Sequence, residues 1–232
     1  GEGFFFFLQR AVITYEVDLK TFSLSVILKS ECSDEFALKI IGEGGFDVQG
    51  KEINFFDKIA GKMLEIFNSL DKNSKVMPEV IFVDRINNTL IMEDLRELNF
   101  TMADRLVGLD ENHVKISLKK IAKFHAASLK ILSSDPRAFD GFDIGVMSRK
   151  VSTTNLGNEL SFQAAADEIS TWNGFEDIAR KMKNLNLMEN CLKCFDMKES
   201  ELNVLNHGDV WTTNLMFKYG DGGELVDAIL VS

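Results

Sequence analysis

The sequence has few cysteines, no excess of positive charge and no long apolar run. The three cysteines, an odd and sparse number, do not fit a disulfide-stabilised secreted scaffold and favour a reducing, cytoplasmic setting. Lysine and arginine total 26 against 36 aspartate and glutamate, and a net charge of −10 does not suit binding along a nucleic-acid backbone. The longest apolar run, Phe4 to Leu8, is far shorter than the roughly 20 residues that cross a bilayer, and no signal peptide is visible, so we expect no membrane partner.

The composition is otherwise typical of a globular protein. Of the 232 residues, 45% are hydrophobic and 27% are charged, which fits one large domain or two small lobes. On folding, a chain of this length can bury roughly 70% of the surface that its unfolded state exposes, so it needs no disulfide bonds or metal sites for stability. It begins at Gly1 and ends within an apolar run at residues 228–231, so we expect it to be incomplete, because a terminal strand needs partners for its backbone groups.

The first elements form a predicted hairpin. β-branched and aromatic residues indicate strands at residues 10–17 and 22–30, with a turn at 18–21. Alternation along the second strand places Lys29 near its end, on the face opposite Leu28. A polar connector, a helix and a second hairpin are expected to follow. Their predicted ranges are 31–45 for the connector, 47–68 for the helix, and 80–84 and 90–94 for the strands, turned at Asn87-Asn88. The helix carries an apolar stripe at helical spacing: Ile53, Phe56, Ala60, Met63 and Phe67.

After about residue 100 the pattern becomes helical. Asp110 is the expected N-cap of a long helix whose apolar face comprises Val114, Leu118, Ile121, His125, Leu129 and Leu132. A loop, two helical stretches and three short strands are predicted beyond it. Their ranges are 133–158 for the loop, 159–188 (broken near Asn173-Gly174) and 189–197 for the helices, and 204–206, 215–219 and 226–231 for the strands. We place the boundary between two lobes near residues 94–100.

One polar motif between two predicted strands carries recognisable chemistry. His207-Gly208-Asp209 is followed, five residues after the aspartate, by Asn214. This is the layout of a kinase catalytic loop, in which the aspartate accepts a hydroxyl proton and the asparagine oxygen binds Mg²⁺. Average residue usage predicts the four residues by chance in roughly one chain in a thousand. The alternative is a polar turn in which Asp209 and Asn214 bond their own backbone.

The loop and its flanks resemble a known family. Residues 205–219 are similar to the catalytic loop of the ecdysteroid-kinase-like family, proteins of insects and nematodes related to choline kinases and aminoglycoside phosphotransferases. Other segments resemble the same family in its order: the phosphate-covering turn, the strand with the ATP lysine, the helix with its glutamate, the strand before the adenine hinge, and two segments after it. They are residues 1–3, 26–29, 51–56, 90–95, 102–105 and 122–128.

The resemblance implies an α+β, protein-kinase-like fold of two lobes. Residues 1–95 would form a nucleotide-binding lobe with an antiparallel sheet and one helix, and residues 96–232 a mostly helical, truncated lobe with the catalytic loop. The residues themselves favour Lys29 and Glu52 as a pair, 23 positions apart on a strand and the following helix, because a lysine on ATP phosphates needs a carboxylate to fix it. The rival is Lys39, in the connector, and we prefer Lys29.

The resemblance also implies the remaining site and its partners. Adenine would bind the Glu93 carbonyl and the Leu95 N–H, Gly1 and Gly3 would end the turn over the phosphates, Asp209 would deprotonate the acceptor and Asn214 would bind Mg²⁺. The cofactors are then ATP and Mg²⁺. The acceptor would be a small-molecule hydroxyl on a steroid alcohol or a xenobiotic phenol or glucoside, with choline-like alcohols less favoured. We expect a cytoplasmic monomer.

A second hypothesis is a catalytically inactive kinase-like module that binds a ligand or partner. The family's second metal-binding carboxylate, in an Asp-Phe-Gln triplet, does not occur in this chain. The other reactive side chains have ordinary interpretations. His207 is expected to orient the loop, and His125 to lie in the core. Cys191 and Cys194 lack the second pair that a tetrahedral zinc site needs.

Overall fold

The computed structural model describes residues 6–31, 47–70, 75–143, 145, 149, 154–196, 198 and 201–231. Within these ranges the chain is α+β, as predicted. The strands are β1 (Phe6–Val17), β2 (Lys20–Glu31), β3 (Val80–Asp84), β4 (Thr89–Glu93), β5 (Phe100–Met102), β6 (Leu215–Tyr219) and β7 (Leu225–Leu230). The helices are α1 (Val48–Lys58), α2 (Ala60–Leu70), α3 (Glu111–Ser134), α4 (Thr154–Ile169), α5 (Glu176–Lys183) and α6 (Leu187–Phe195).

The first sheet contains both predicted hairpins in the order β1-β2-β4-β3, with every pairing antiparallel. The β1–β2 turn is tighter than predicted, because Asp18 and Leu19 both take left-handed conformations, with φ of 50° and 61°. Two such residues make the turn whose twist matches that of paired strands, so β2 starts at Lys20 rather than residue 22. The strand β4 lies between β2 and β3, and its last residue, Glu93, pairs with Val26 on β2.

The helix predicted over residues 47–68 is interrupted at Ile59, where α1 ends and α2 begins. Hydrogen bonds still run across the break, from Ile59 N–H to the Phe55 carbonyl and from Met63 N–H to the Ile59 carbonyl, at 2.8 and 3.1 Å. The two helices therefore keep one common apolar face. The predicted stripe is confirmed as buried in all its members: Ile53, Phe56, Ala60, Met63 and Phe67.

The helix α3 begins as predicted, with the Asp110 carboxylate accepting the His113 N–H at 2.9 Å. Its predicted apolar face is only partly buried: Val114 and Leu118 are 42% and 58% exposed, and the other four members are half-buried. The helix packs against α2 and β7 through another face, composed of Ser117, Lys120, Phe124, Ala127, Ser128 and Ile131. Small side chains allow this close approach, and Lys120 is buried because Asp227 on β7 neutralises it. His125 lies beside this face, where burial lowers its pKa.

The second sheet has the order β5-β6-β7 and is antiparallel. The strand β5 is too short for a periodic signal and was not predicted. The strand predicted at residues 204–206 is absent: the Leu205 N–H donates instead to the Ser128 hydroxyl on α3, at 3.1 Å. A buried cluster connects Leu95 with Phe100 and Ile229, so the second sheet packs against the turn that follows β4.

The chain divides into two compact units, one comprising residues 1–34, 48–140 and 204–232 and the other residues 35–47 and 141–203. The first unit contains both sheets and α1–α3. The second contains α4–α6; the predicted break between its first two helices is confirmed, with Gly174 at φ 86°. The lobe boundary near residue 95 stays a prediction. No helix in the described ranges combines the length and apolarity needed to cross a bilayer.

Candidate active site

The centre of the candidate site is an ion pair between β2 and α1. The Lys29 ammonium donates to Glu52 Oε1 at 2.6 Å, and the two side chains are 3% and 11% exposed. Lys29 stands near the end of β2, and Glu52 lies on α1, a helix that packs against β3 of the same sheet. A buried ammonium is tolerated only when it is paired, so Glu52 is what allows a charged lysine at this place.

Two further groups surround Lys29. Its Nζ lies 3.9 Å from the centroid of the Phe6 ring on β1, a cation–π arrangement. Burial lowers the pKa of Lys29, while the negative charges of Glu52 and Asp209 act in the opposite direction. Asp209 belongs to the His-Gly-Asp loop (residues 207–214), so the charge of this loop acts on Lys29 although the two are far apart in sequence.

The His-Gly-Asp loop has a fixed backbone. Gly208 has φ of 86°, a conformation that side chains with a Cβ rarely adopt, although a Cβ there would meet nothing within 4 Å. His207 Nδ1 accepts the Asp209 N–H at 3.4 Å, and burial lowers the pKa of His207 despite a hydrogen bond with the Val231 backbone. A neutral imidazole that bridges two backbone segments is the orienting role expected from the sequence.

The side chain of Asn214 is oriented by Asp209. Its Nδ2 donates to the Asp209 carbonyl at 2.9 Å and to Asp209 Oδ2 at 2.8 Å. With the nitrogen held in this way, the amide presents Oδ1 as a ligand, and an amide oxygen next to a carboxylate is a donor set that suits Mg²⁺. Asn214 thus fits the ion chemically. Among the described residues, no group of three or more His, Cys, Asp or Glu side chains could hold a metal.

The second sheet anchors this loop. The strand β6 starts immediately after Asn214, whose carbonyl accepts the Val231 N–H at 3.0 Å. The Leu230 N–H donates to the Val76 carbonyl at 2.9 Å, which ties the end of β7 to the segment preceding β3. Asp209 itself is exposed, so its carboxylate is held by a rigid support yet remains accessible.

The hinge (residues 93–95) joins the first sheet to the short turn Leu95–Leu98. The Glu93 carboxylate accepts Lys75 Nζ at 2.5 and 2.6 Å and the Glu79 N–H at 2.8 Å. The Leu95 side chain is 5% exposed and packs in the core. The backbone groups proposed to bind adenine, the Glu93 carbonyl and the Leu95 N–H, therefore lie on a segment that is fixed on both sides.

Sequence reasoning missed three polar residues at the hinge: Asp94, Arg10 and Lys75. Asp94 is buried, with Arg10 as an ion-pair partner, and Lys75 pairs with Glu93. An acidic residue directly after an apolar strand was a signal for Asp94. No signal pointed to its partner, 84 positions away. Gly1, Gly3 and the rival Lys39 lie outside the described residues.

Comparison with known proteins agrees with the geometry. No curated protein sequence matches this chain. The sequence model of the ecdysteroid kinase-like family matches residues 1–232, and the antiparallel first sheet combined with helices is the kinase-like α+β fold expected for that family. The match covers the strand with Lys29, the helix with Glu52, the hinge and the His-Gly-Asp loop. The chain belongs to the ecdysteroid kinase-like family.

Proposed function

We propose that this member of a family of small-molecule phosphotransferases transfers the γ-phosphoryl group of ATP to a hydroxyl group of a small molecule. The observation that carries the proposal is the buried Lys29–Glu52 ion pair, whose lysine also experiences the charge of Asp209. Phosphoryl transfer needs a cation for the phosphates of the nucleotide close to a carboxylate for the attacking hydroxyl. The Lys29–Glu52 ion pair supports the first requirement, and the charge that Asp209 exerts on Lys29 supports the second.

Lys29 would bind the α- and β-phosphates. Glu52 holds its ammonium from one side, so little rotamer freedom is lost when the phosphates bind. The hinge would bind adenine through the Glu93 carbonyl and the Leu95 N–H, and Gly1 and Gly3 would cover the phosphates. These assignments rest on the resemblance of each segment to the family.

Asp209 would orient the acceptor hydroxyl and take its proton while the oxygen bonds to phosphorus and the bond to ADP breaks. Its carboxylate accepts from Asn214 Nδ2, which limits the directions it can face. Asn214 would hold Mg²⁺ through Oδ1, and the ion, when bound, neutralises charge on the transferred group. The protein contributes positioning and electrostatics rather than covalent chemistry.

The proposed acceptor is a steroid alcohol or a xenobiotic phenol or glucoside, as the family resemblance implies. We also propose that the protein is a cytoplasmic monomer that binds neither nucleic acid nor a membrane. The net charge of −10 supports the absence of nucleic-acid binding, and the small number of cysteines supports the cytoplasmic setting.

The test is transfer of labelled phosphate from ATP with Mg²⁺ to a panel of steroid alcohols, phenols and glucosides by the full-length protein. We expect Asp209→Asn to lower kcat at least about 10²-fold while the ATP Kd changes only a few-fold. Asp221→Asn, which changes an exposed carboxylate in the β6–β7 turn, is the matched control.

Two outcomes would contradict the proposal in different ways. Turnover of Asp209→Asn within a few-fold of the parent would remove Asp209 from the mechanism. ATP binding without transfer to any acceptor would favour the inactive, ligand-binding module.

A further inference from the structure

The side chain of Asp94, in the middle of the hinge, is 3% exposed and accepts four hydrogen bonds. Arg10 donates to it through Nε at 2.5 Å and Nη2 at 3.2 Å. The Ser25 hydroxyl donates at 2.8 Å and the Arg96 N–H at 3.1 Å. Burial alone would raise the pKa of Asp94, but these hydrogen bonds outweigh it and hold the pKa below its ordinary value. Asp94 is therefore a buried carboxylate whose hydrogen-bond donors all come from the protein itself, and it has no part in the proposed function.

The partners of Asp94 come from the two strands that position Lys29. Arg10 is on β1, four residues after Phe6, whose ring lies over the Lys29 ammonium. Ser25 is on β2, four residues before Lys29 itself. The Asp94 network therefore connects the hinge to the same pair of strands that holds the phosphate-binding lysine.

The network begins where the backbone ladder ends. The pairing of β2 with β4 ends at Val26 and Glu93, so the next opposed residues would be Ser25 and Asp94. In place of a further backbone pair, the Ser25 hydroxyl bonds the Asp94 carboxylate. The same carboxylate caps the turn Leu95–Leu98 through the Arg96 N–H. One side chain thus fixes the hinge to the sheet on one side and to the following turn on the other.

We propose that Asp94, held by Arg10 and Ser25, is a positioning residue that sets the spacing between the hinge backbone and the Lys29 ammonium, so that one nucleotide can reach both. The inference rests on the proposed function, in which adenine binds at residues 93–95 and the phosphates bind Lys29. A ligand that spans both points is sensitive to their separation, and a ligand that uses only the hinge is not.

This difference between ligands gives the test. The Kd of ATP and of adenosine is measured by calorimetry for the full-length parent, Asp94→Asn, Arg10→Met and Lys29→Met, below their unfolding temperatures. We expect each variant to weaken ATP about tenfold and to leave adenosine within about twofold. Arg10→Lys should restore part of the loss, because a lysine keeps the charge but cannot make both bonds to Asp94. The matched control is Arg85→Met, since Arg85 forms an ion pair with Asp57 away from the hinge.

A double-variant cycle sharpens the assignment. Asp94→Asn combined with Arg10→Met should weaken ATP no more than either change alone, because both remove the same connection. If Asp94→Asn does not fold, Arg10→Met still tests the inference, because the Arg10 side chain is 39% exposed and its loss leaves Asp94 bonded to Ser25 and Arg96.

The outcomes separate this inference from the function it rests on. If the parent binds no ATP, both are wrong. If Lys29→Met lowers the preference for ATP over adenosine while Arg10→Met and Asp94→Asn do not, the proposed function stands and the positioning role is overturned. A purely structural role would lower the unfolding temperature of the variants and leave that preference unchanged.

Discussion

Two buried lysines of the first unit, Lys29 on β2 and Lys120 on α3, have nearly identical immediate surroundings. Both are 3% exposed, and each ammonium lies 2.6 Å from a carboxylate, Glu52 for Lys29 and Asp227 for Lys120. The second contacts differ. Lys120 also donates to the Lys75 carbonyl at 2.5 Å, whereas Lys29 faces the Phe6 ring and the charge of Asp209.

This difference shows that burial and pairing alone do not identify a functional lysine. The contacts of Lys120 join α3, β7 and the segment before β3, so they hold core elements together. The contacts of Lys29 join β2 to α1 and β1, and its ammonium also experiences the charge of Asp209 in the His-Gly-Asp loop. A buried cation that is close to an exposed carboxylate on another element can act on a ligand between them.

The largest expected effect is on turnover. Lys29→Met should lower kcat/KM for ATP by at least about 10²-fold, because the phosphates lose their cation. Lys120→Met should leave the KM for ATP within about threefold, since its contacts lie in the core. Steady-state kinetics of both purified variants checks this, with Lys39→Ala as a second control. Equal losses for Lys29 and Lys39 would show that the wrong lysine was assigned.

The stabilities should follow the opposite order. Lys120→Met removes a donor from Asp227, which keeps the Ala228 N–H, and from the Lys75 carbonyl, and removing one partner of a buried pair costs about 3 kcal/mol. That corresponds to a fall of roughly 10 °C in the unfolding temperature for a protein of this size. Lys29→Met removes a donor from one acceptor, Glu52, rather than from two, so it should lower the free energy of unfolding by about half as much. A larger loss for Lys29→Met in thermal unfolding would remove the distinction between the two lysines.

Replacing a whole ion pair is a finer test. Lys29→Met with Glu52→Leu should fold with a stability within about 1 kcal/mol of the parent, because a buried pair is often no better than apolar residues of similar volume. The double variant should be inactive, because the phosphates of ATP still lack the Lys29 cation. The matched change, Lys120→Met with Asp227→Leu, still deprives the Lys75 carbonyl of its donor. We therefore expect urea unfolding to show a lower stability for this second variant, and equal values would contradict the argument.

The smallest effect is on the pH dependence of stability. Burial lowers the pKa of Lys29, so between that pKa and the ordinary value of about 10.4 the unfolded state binds more protons than the folded state. The free energy of unfolding of the parent should therefore rise with pH in this alkaline window, relative to Lys29→Met. Denaturant titrations of both proteins across the window check the sign. A parent curve that falls relative to the variant would contradict it.

The elements that could be predicted from sequence are those with a local signal. Alternation predicted the hairpins of the first sheet, helical spacing predicted the buried stripe of α1 and α2, and Asp110 marked the start of α3. The buried face of α3 could not be predicted in this way. Its apolar residues, such as Leu118, form a more regular stripe than the mixed face that is buried, and Lys120 is acceptable inside only because Asp227 arrives from β7.

The sequence by itself determined the residue types of the site. The His-Gly-Asp motif with Asn214 needs a fixed spacing along one loop, and Lys29 and Glu52 stand on a strand and a helix that are each predicted locally. Only the tertiary structure decided that the Lys29–Glu52 pair is buried and that Asp94 joins Arg10 across 84 positions. The physical reason is that a buried charge is stable only beside its partner, and the chain brings partners together through sheet register and helix packing rather than through nearness in sequence.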